Sequence, residues 1–217
     1  MSLDLALYLV TDSGQCARAG RSLQETVLRA VEGGVRIVQI REKEASAREF
    51  LASVCAVAQV LPAQVPLLVN DRIDVFLAAR AAGARVAGVH IGQSEIPPEL
   101  ARQLIGPQAI LGLSAATPAA LAEAGRCGVV DYVGIGPLNT TTTKKNAPPA
   151  LGLPALQALR QSVRLPAVAI GGIGSGDMAG LRAAGFDGAA VVSAICTAPN
   201  PRQAAQALLQ AWQHGGA

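Results

Sequence analysis

Gln39, Arg41 and Lys43 alternate along the chain, so an extended backbone throws all three to the same side. Arginine offers a bidentate fork and lysine a point charge, a combination suited to a diphosphate. The alternative is a surface salt-bridge run in which Glu42 and Glu44 neutralise their basic neighbours. Asp71 and Glu95 add two carboxylates, with Asn70 beside the first. Mg²⁺ takes oxygen ligands and is usually held by one or two carboxylates plus substrate phosphates. Asp71 also reads as an N-cap for a helix starting near Ile73, and Glu95 as a solvated acid before Pro97-Pro98.

A third group is Gly171-Gly172-Ile173-Gly174-Ser175-Gly176, followed further on by Val192-Ser193. Glycine lets an anion approach bare backbone N–H groups, and a helix start adds to the attraction. His90 lies inside an apolar run and reads as a hydrogen-bonded core histidine; His214 reads as solvated. The sequence therefore carries no nucleophile–base–acid triad. Two anion sites and a metal site suit stabilisation of a leaving group, such as diphosphate, better than hydrolysis by an activated side chain.

These residues need a scaffold that gathers them. Short apolar runs recur at Ala6 to Thr11, Val35 to Ile40, Pro66 to Asn70, Val86 to Ile91, Ala109 to Leu113, Val129 to Gly134, Ala167 to Ile170 and Gly188 to Val192. Helical stretches begin between and after them, near Ser22, Ser46, Ile73, Pro97, Thr117, Leu153, Ser175 and Pro201. Ser46 with Glu49 reads as a capping box, and Thr117-Pro118 as a cap before proline at the first helical position. Gly33-Gly34, Gly83 and Gly185 are stop signals. Strict βαβα alternation demands a parallel sheet, and eight units favour a closed (β/α)8 barrel of the α/β class. The runner-up, an open doubly wound sheet, lacks a glycine fingerprint after its first strand. In a barrel, the polar residues at the C-terminal strand ends face one mouth. Gln39, Arg41, Lys43, Asn70, Asp71, Glu95, Ser114, Gly172, Val192 and Ser193 all fall there. The irregular segment Gly136 to Gly152 is either a solvated loop or a mobile lid, in which Asn139 to Pro149 would order over a ligand through Lys144.

The chain has 217 residues, 51% hydrophobic and 15% charged, enough to bury one large aliphatic core. It shows no domain boundary, and a single catalytic domain over 1–217 is expected. A net charge of +3 with no basic stripe is too small to argue for a nucleic-acid surface. The four cysteines are too dispersed for a zinc site and read as reduced thiols of a cytoplasmic protein. The uncharged stretch from Phe50 to Asn70 contains Pro62 and Pro66, which argues against a membrane span.

Tyr8-Leu9-Val10-Thr11-Asp12, Gln39-Ile40-Arg41-Glu42-Lys43, Asn70-Asp71-Arg72, Gly88-Val89-His90-Ile91-Gly92-Gln93, Tyr132-Val133-Gly134-Ile135-Gly136-Pro137, Thr141-Thr142-Thr143-Lys144-Lys145 and Ala169-Ile170-Gly171-Gly172-Ile173 occur in this order. Together they resemble the thiamine phosphate synthase family over almost the whole chain. The resemblance implies a transferase that joins hydroxymethylpyrimidine diphosphate to a thiazole phosphate, with Mg²⁺, after ionisation of the pyrimidine C–O bond. By position it implies that Gln39, Arg41, Lys43, Asn70, Ser114 and Lys144 hold the pyrimidine diphosphate, with Arg41, Lys43, Ser114 and Lys144 acting in catalysis. It implies Asp71 and Glu95 as metal ligands, and Thr141, Thr142, Thr143, Gly172, Val192 and Ser193 around the thiazole phosphate. The chain departs from the family pattern at Glu95, usually Asp, at Ala116, often His, and at Asn139-Thr140, where an aromatic–Pro pair is usual. The segment between Asp71 and His90 is also longer.

Two other functions compete. A thiazole tautomerase of the same fold typically has His at position 39 and lacks the Asn-Asp pair and the Thr-x-Thr-Lys loop. A phosphate-ligand sensor without catalysis would keep the pocket alone. The expected partners are the two small substrates, with neither nucleic acid nor membrane; association into a homo-oligomer is compatible with the sequence.

Overall fold

Eight strands run parallel, each paired with its neighbour in sequence, and the last pairs back onto the first to close a barrel. They are β1 (Leu7–Val10), β2 (Ile37–Ile40), β3 (Leu67–Asn70), β4 (Gly88–Ile91), β5 (Ile110–Ser114), β6 (Tyr132–Ile135), β7 (Ala167–Ile170) and β8 (Gly188–Val191). The computed structural model describes residues 3–141, 143 and 148–215. Ten helices occur among these residues: α1 (Ser13–Arg18), α2 (Leu23–Glu32), α3 (Ala47–Val60), α4 (Ile73–Ala81), α5 (Pro98–Ile105), α6 (Pro118–Cys127), α7 (Gly152–Gln161), α8 (Ser175–Ala183), α9 (Ser193–Cys196) and α10 (Pro201–His214). The (β/α)8 barrel expected from the alternation is the fold. None of the described helices is long and apolar enough to cross a membrane.

The strands are apolar on both sides because both sides are covered. Leu7, Leu9, Val38, Ile40, Val133 and Ile135 pack outward against the helices. Tyr8, Val10, Ile37, Leu68, Tyr132, Val168 and Ala190 form a second cluster inside the barrel. This period-two division explains which polar residues enter the lumen. Gln39 shares parity with Ile37, Asn70 with Leu68, Ser114 with Ile110, and His90 is register-paired with Asn70.

The helices obey local signals. Ser46 and Glu49 form a complete capping box at α3, and that helix buries Phe50, Val54, Val57 and Ala58 on one stripe. Each fully buried large side chain of this kind contributes roughly 1.5–3 kcal/mol. Thr117 caps α6 through Ala120 N–H. Two helices go beyond the expected eight. α1 and α9, of 6 and 4 residues, lie in the loops after β1 and β8 and are too short to show a periodic apolar face. β6 begins at Tyr132 rather than Val129, because the Val129 carbonyl accepts from Arg102 at the barrel floor.

Candidate functional site

Every described residue of the expected set lies at the C-terminal end of its strand or in the loop that follows. Gln39 is buried inside β2, and its Nε2 donates to the Tyr8 hydroxyl at 2.5 Å. Arg41 follows the strand; its N–H donates to Thr11 Oγ1 at 3.2 Å, while Thr11 N–H donates to Gln39 O. These bonds stitch the ends of β1 and β2 together and fix where the basic run begins. Lys43 reaches across to β3, where its Nζ pairs with Asp71 Oδ2. The surface salt-bridge reading of this run fails for Lys43, whose partner comes from another strand.

Asp71 is the centre of the cluster. Its Oδ2 also accepts Asn70 Nδ2 at 2.7 Å, and its Oδ1 accepts Gly92 N–H at 3.2 Å. It is the one non-glycine among the described residues with positive φ, at 61°. Aspartate tolerates this region better than most residues, but the conformation still stores of order 1 kcal/mol of strain. The helix-cap reading does not hold: α4 has no side-chain cap hydrogen bond. Glu95 belongs to the turn that Asp71 anchors, since its N–H donates to Gly92 O at 3.3 Å. Its side chain is exposed. Two carboxylates from adjacent strand ends are the oxygen donor set that Mg²⁺ takes, and Asp71 has lone-pair capacity beyond its three bonds. The residues present therefore fit the ion. No group of three or more His, Cys, Asp and Glu able to hold a metal occurs among the described residues, so the remaining ligands would come from water and substrate.

Ser114 ends β5, exposed at the mouth, with its Oγ 2.9 Å from His90 Nε2. The Ser114 carbonyl accepts Gln93 Nε2 at 2.7 Å. His90 has both ring nitrogens partnered, Nδ1 lying 2.8 Å from the Tyr132 hydroxyl. Burial pushes its imidazole down to about 4, against a smaller opposing pull from Asp71. The expected bonded histidine is what the barrel contains.

On the other side of the mouth, Gly172 has φ 62°, and a Cβ there would stand 2.8 Å from Thr140 O. Only glycine suits this close approach. The Gly172 carbonyl accepts Asn139 Nδ2 at 3.1 Å, and the same amide reaches the Asp177 carboxylate at 3.3 Å. Asp177 Oδ2 in turn accepts Gly174 N–H at 2.8 Å, tying the residue before α8 to an acid of its first turn. The neighbouring α9 has no side-chain cap and starts at Val192 and exposed Ser193. First-turn N–H groups have no partner within their helix. Thr141 and Thr143 lie in the loop after β6; Thr143 Oγ1 accepts Gln15 Nε2 at 3.4 Å. Thr142 and Lys144, with residues 145–147 of the expected lid, lie outside the described residues.

Sequence reasoning missed three contributors. Tyr8 and Tyr132 stand in the sequence only as members of strand motifs, and their hydroxyls meet inside the barrel at 2.8 Å. Glu42 was weighed only as a surface neutraliser. It is half-buried, its Oε2 accepts from Ser13 Oγ at 2.7 Å, and burial raises its carboxyl above the ordinary range. Lumen parity could have flagged both tyrosines.

Fold and site together define the class: a (β/α)8 barrel with polar and charged side chains gathered at its C-terminal mouth. Residues 7–195 match the family model for thiamine monophosphate synthase. The chain is 44% identical to a thiamine-phosphate synthase of Syntrophomonas wolfei, over 97% of each chain. It is 47% identical to one of Vibrio parahaemolyticus, over 94% of this chain and 96% of that one. A thiamine phosphate pyrophosphorylase from Pyrococcus furiosus superposes with a TM-score of 0.83 at 31% identity, covering 99% of this chain and 98% of that one. The chain belongs to the thiamine monophosphate synthase family.

Proposed function

We propose that this chain is a thiamine phosphate synthase, a transferase built as one barrel domain over residues 1–217 and working in the cytoplasm. It couples 4-amino-2-methyl-5-(diphosphooxymethyl)pyrimidine with a thiazole phosphate or its carboxylate form, giving thiamine phosphate and diphosphate, with CO2 released as well from the carboxylate form. The observation that carries this reading is the single mouth. Described candidates from β2, β3, β4, β5, β7 and β8 open onto it together with Thr141 and Thr143.

The displacement is dissociative. The pyrimidine C–O bond breaks with its electron pair going to the departing diphosphate, and the thiazole nitrogen then donates its pair to the pyrimidine cation. Arg41, Lys43 and Lys144 supply positive charge where the diphosphate gains negative charge. Gln39, Asn70 and Ser114 hydrogen-bond the same substrate and fix its orientation. Gly172, Val192, Ser193 and the threonines Thr141, Thr142 and Thr143 hold the thiazole phosphate through backbone N–H groups and hydroxyls. Asp71 and Glu95 would hold Mg²⁺, which neutralises diphosphate oxygens when bound. No side chain has to attack, which agrees with a mouth whose histidine is neutral and bonded at both nitrogens.

The test is incubation with both phosphorylated heterocycles and Mg²⁺, followed for thiamine phosphate and released diphosphate. Both products are expected. Isomerised thiazole without coupling would identify a tautomerase, and saturable binding without turnover a sensor.

A further inference from the structure

A continuous line of hydrogen bonds crosses the barrel lumen and ends on two proposed substrate ligands. Gln39 Nε2 donates to the Tyr8 hydroxyl at 2.5 Å. The Tyr8 and Tyr132 hydroxyls are 2.8 Å apart. Tyr132 lies 2.8 Å from His90 Nδ1, and His90 Nε2 lies 2.9 Å from Ser114 Oγ. Both tyrosines are at most 1% exposed.

Proton counting gives the line a direction. A tyrosine hydroxyl has one proton, and burying it without an acceptor is costly. The Gln39 amide is a donor, so Tyr8 oxygen accepts there, and the Tyr8 proton goes forward to Tyr132. The Tyr132 proton then goes to His90 Nδ1. A neutral imidazole has one N–H, so Nε2 carries it and donates to Ser114 Oγ. The hydroxyl proton of Ser114 is left pointing away from His90, toward the mouth.

The backbone is shaped for this line. His90 is register-paired with Gly112, and Gly112 with Tyr132, so the two rings meet across a residue without a side chain. A Cβ at Gly112 would fall 2.3 Å from the Tyr132 hydroxyl and 2.4 Å from His90 Nδ1. The position is empty where the hydrogen bond passes.

We propose that Tyr8, Tyr132 and His90 form a directed relay that holds His90 in its Nε2–H tautomer and makes the Ser114 hydroxyl a donor to the departing side of the pyrimidine diphosphate. These three are positioning residues, and the inference rests on the reading of Ser114 as a substrate ligand. Donors already oriented toward developing charge need no reorganisation during the reaction.

The chain has two histidines, so long-range ¹H–¹⁵N correlation of the imidazoles resolves the tautomer, with His214→Asn making the assignment. His90 is expected to carry its proton on Nε2 alone. Tyr132→Phe should mix the tautomers and lower kcat by about 10- to 100-fold, the range seen when outer partners of metal ligands are removed, with little change in KM. A proton on Nδ1 in the wild-type protein, the result of a reversed Gln39 amide, overturns the proposal. So does a Tyr132→Phe enzyme with unchanged kcat. The wild-type spectrum decides the direction even if the variant does not fold. The tautomer is read without turnover, so a protein that failed to couple the heterocycles would sink the synthase reading and leave this measurement standing.

Discussion

The two ends of the barrel use similar side chains in opposite ways. At the floor, Arg102 from the last turn of α5 donates to the Val129, Gly106 and Ala109 carbonyls and pairs with Asp131 at 2.8 Å. Asp131 also accepts Leu111 N–H at 2.7 Å. Arg160, from the last turn of α7, repeats the device on the Gly185 and Val163 carbonyls and on Asp187, which accepts Ala167 N–H at 2.8 Å. A cleft of about 300 Å³ nearby is lined by Leu61, Val65 and Pro66 with Arg85, whose guanidinium donates to Leu61 O. At the mouth, Asp71 sits in a left-handed backbone conformation, and the buried Glu42 Oε1 and Gln15 Oε1 have no partner among the described residues. Floor charges are bonded to backbone and to each other. At the mouth Lys43 and Asp71 also pair, but buried acceptors such as Glu42 Oε1 keep capacity for something that is not protein. A charged residue in this fold is thus assigned to stability or to function by which end of a strand it follows.

The contrast breaks most sharply where the mouth is cut. Asp71→Ala and Lys144→Ala should each lower the coupling rate by roughly 10²–10³ or more, as loss of one electrostatic stabiliser does, while circular dichroism shows a folded barrel. If Asp71→Ala keeps the wild-type rate and Mg²⁺ dependence, the metal assignment is wrong. At the floor the signs should reverse. Arg102→Ala takes the guanidinium from Asp131 and from several carbonyls, which should cost about 2–3 kcal/mol. At roughly 2–4 °C per kcal/mol for a domain of this size, thermal melting should drop by about 5–10 °C with kcat/KM unchanged. A large loss of activity at the folded temperature would mean the two ends are coupled.

His90 sharpens the comparison through pH. Its folded pKa is lowered to about 4 by burial, whereas an exposed imidazole titrates near 6.5. Between these values the unfolded chain binds the proton and the folded one does not, so stability falls as pH falls through this window. The full effect is up to about 3 kcal/mol, at about 1.4 kcal/mol per pKa unit. Denaturant midpoints measured from pH 7 to pH 4 should decline less steeply in His90→Gln than in wild type. Equal slopes would show that the histidine is not held neutral. The smallest effect belongs to Glu95. Glu95→Asp should keep near-wild-type activity, and Glu95→Gln should mainly raise the Mg²⁺ concentration needed for half-maximal rate. A Glu95→Gln rate insensitive to Mg²⁺ would remove Glu95 from the metal site.

The alternation of β-branched runs with helical stretches was enough to predict a closed parallel barrel, because the strands are apolar on both faces and helices such as α3 and α6 carry their own start signals. The same reasoning placed Gln39, Arg41, Lys43, Asn70, Asp71, Ser114 and Gly172 at strand ends, since strand order fixes which end faces the mouth. Only tertiary structure decided how those residues use their bonds. Lys43 meets Asp71 rather than Glu42 or Glu44, and Asp71 accepts Gly92 N–H from the next strand instead of capping α4. Asp177 binds the Gly174 N–H just ahead of α8, and α9 starts without a side-chain cap. Tyr8, Tyr132 and His90, 124 residues apart at the extremes, become one line because β1, β4 and β6 share a lumen. Local sequence records the period and the caps of each element. Contacts across strands depend on register and closure, which exist only once all eight strands have paired.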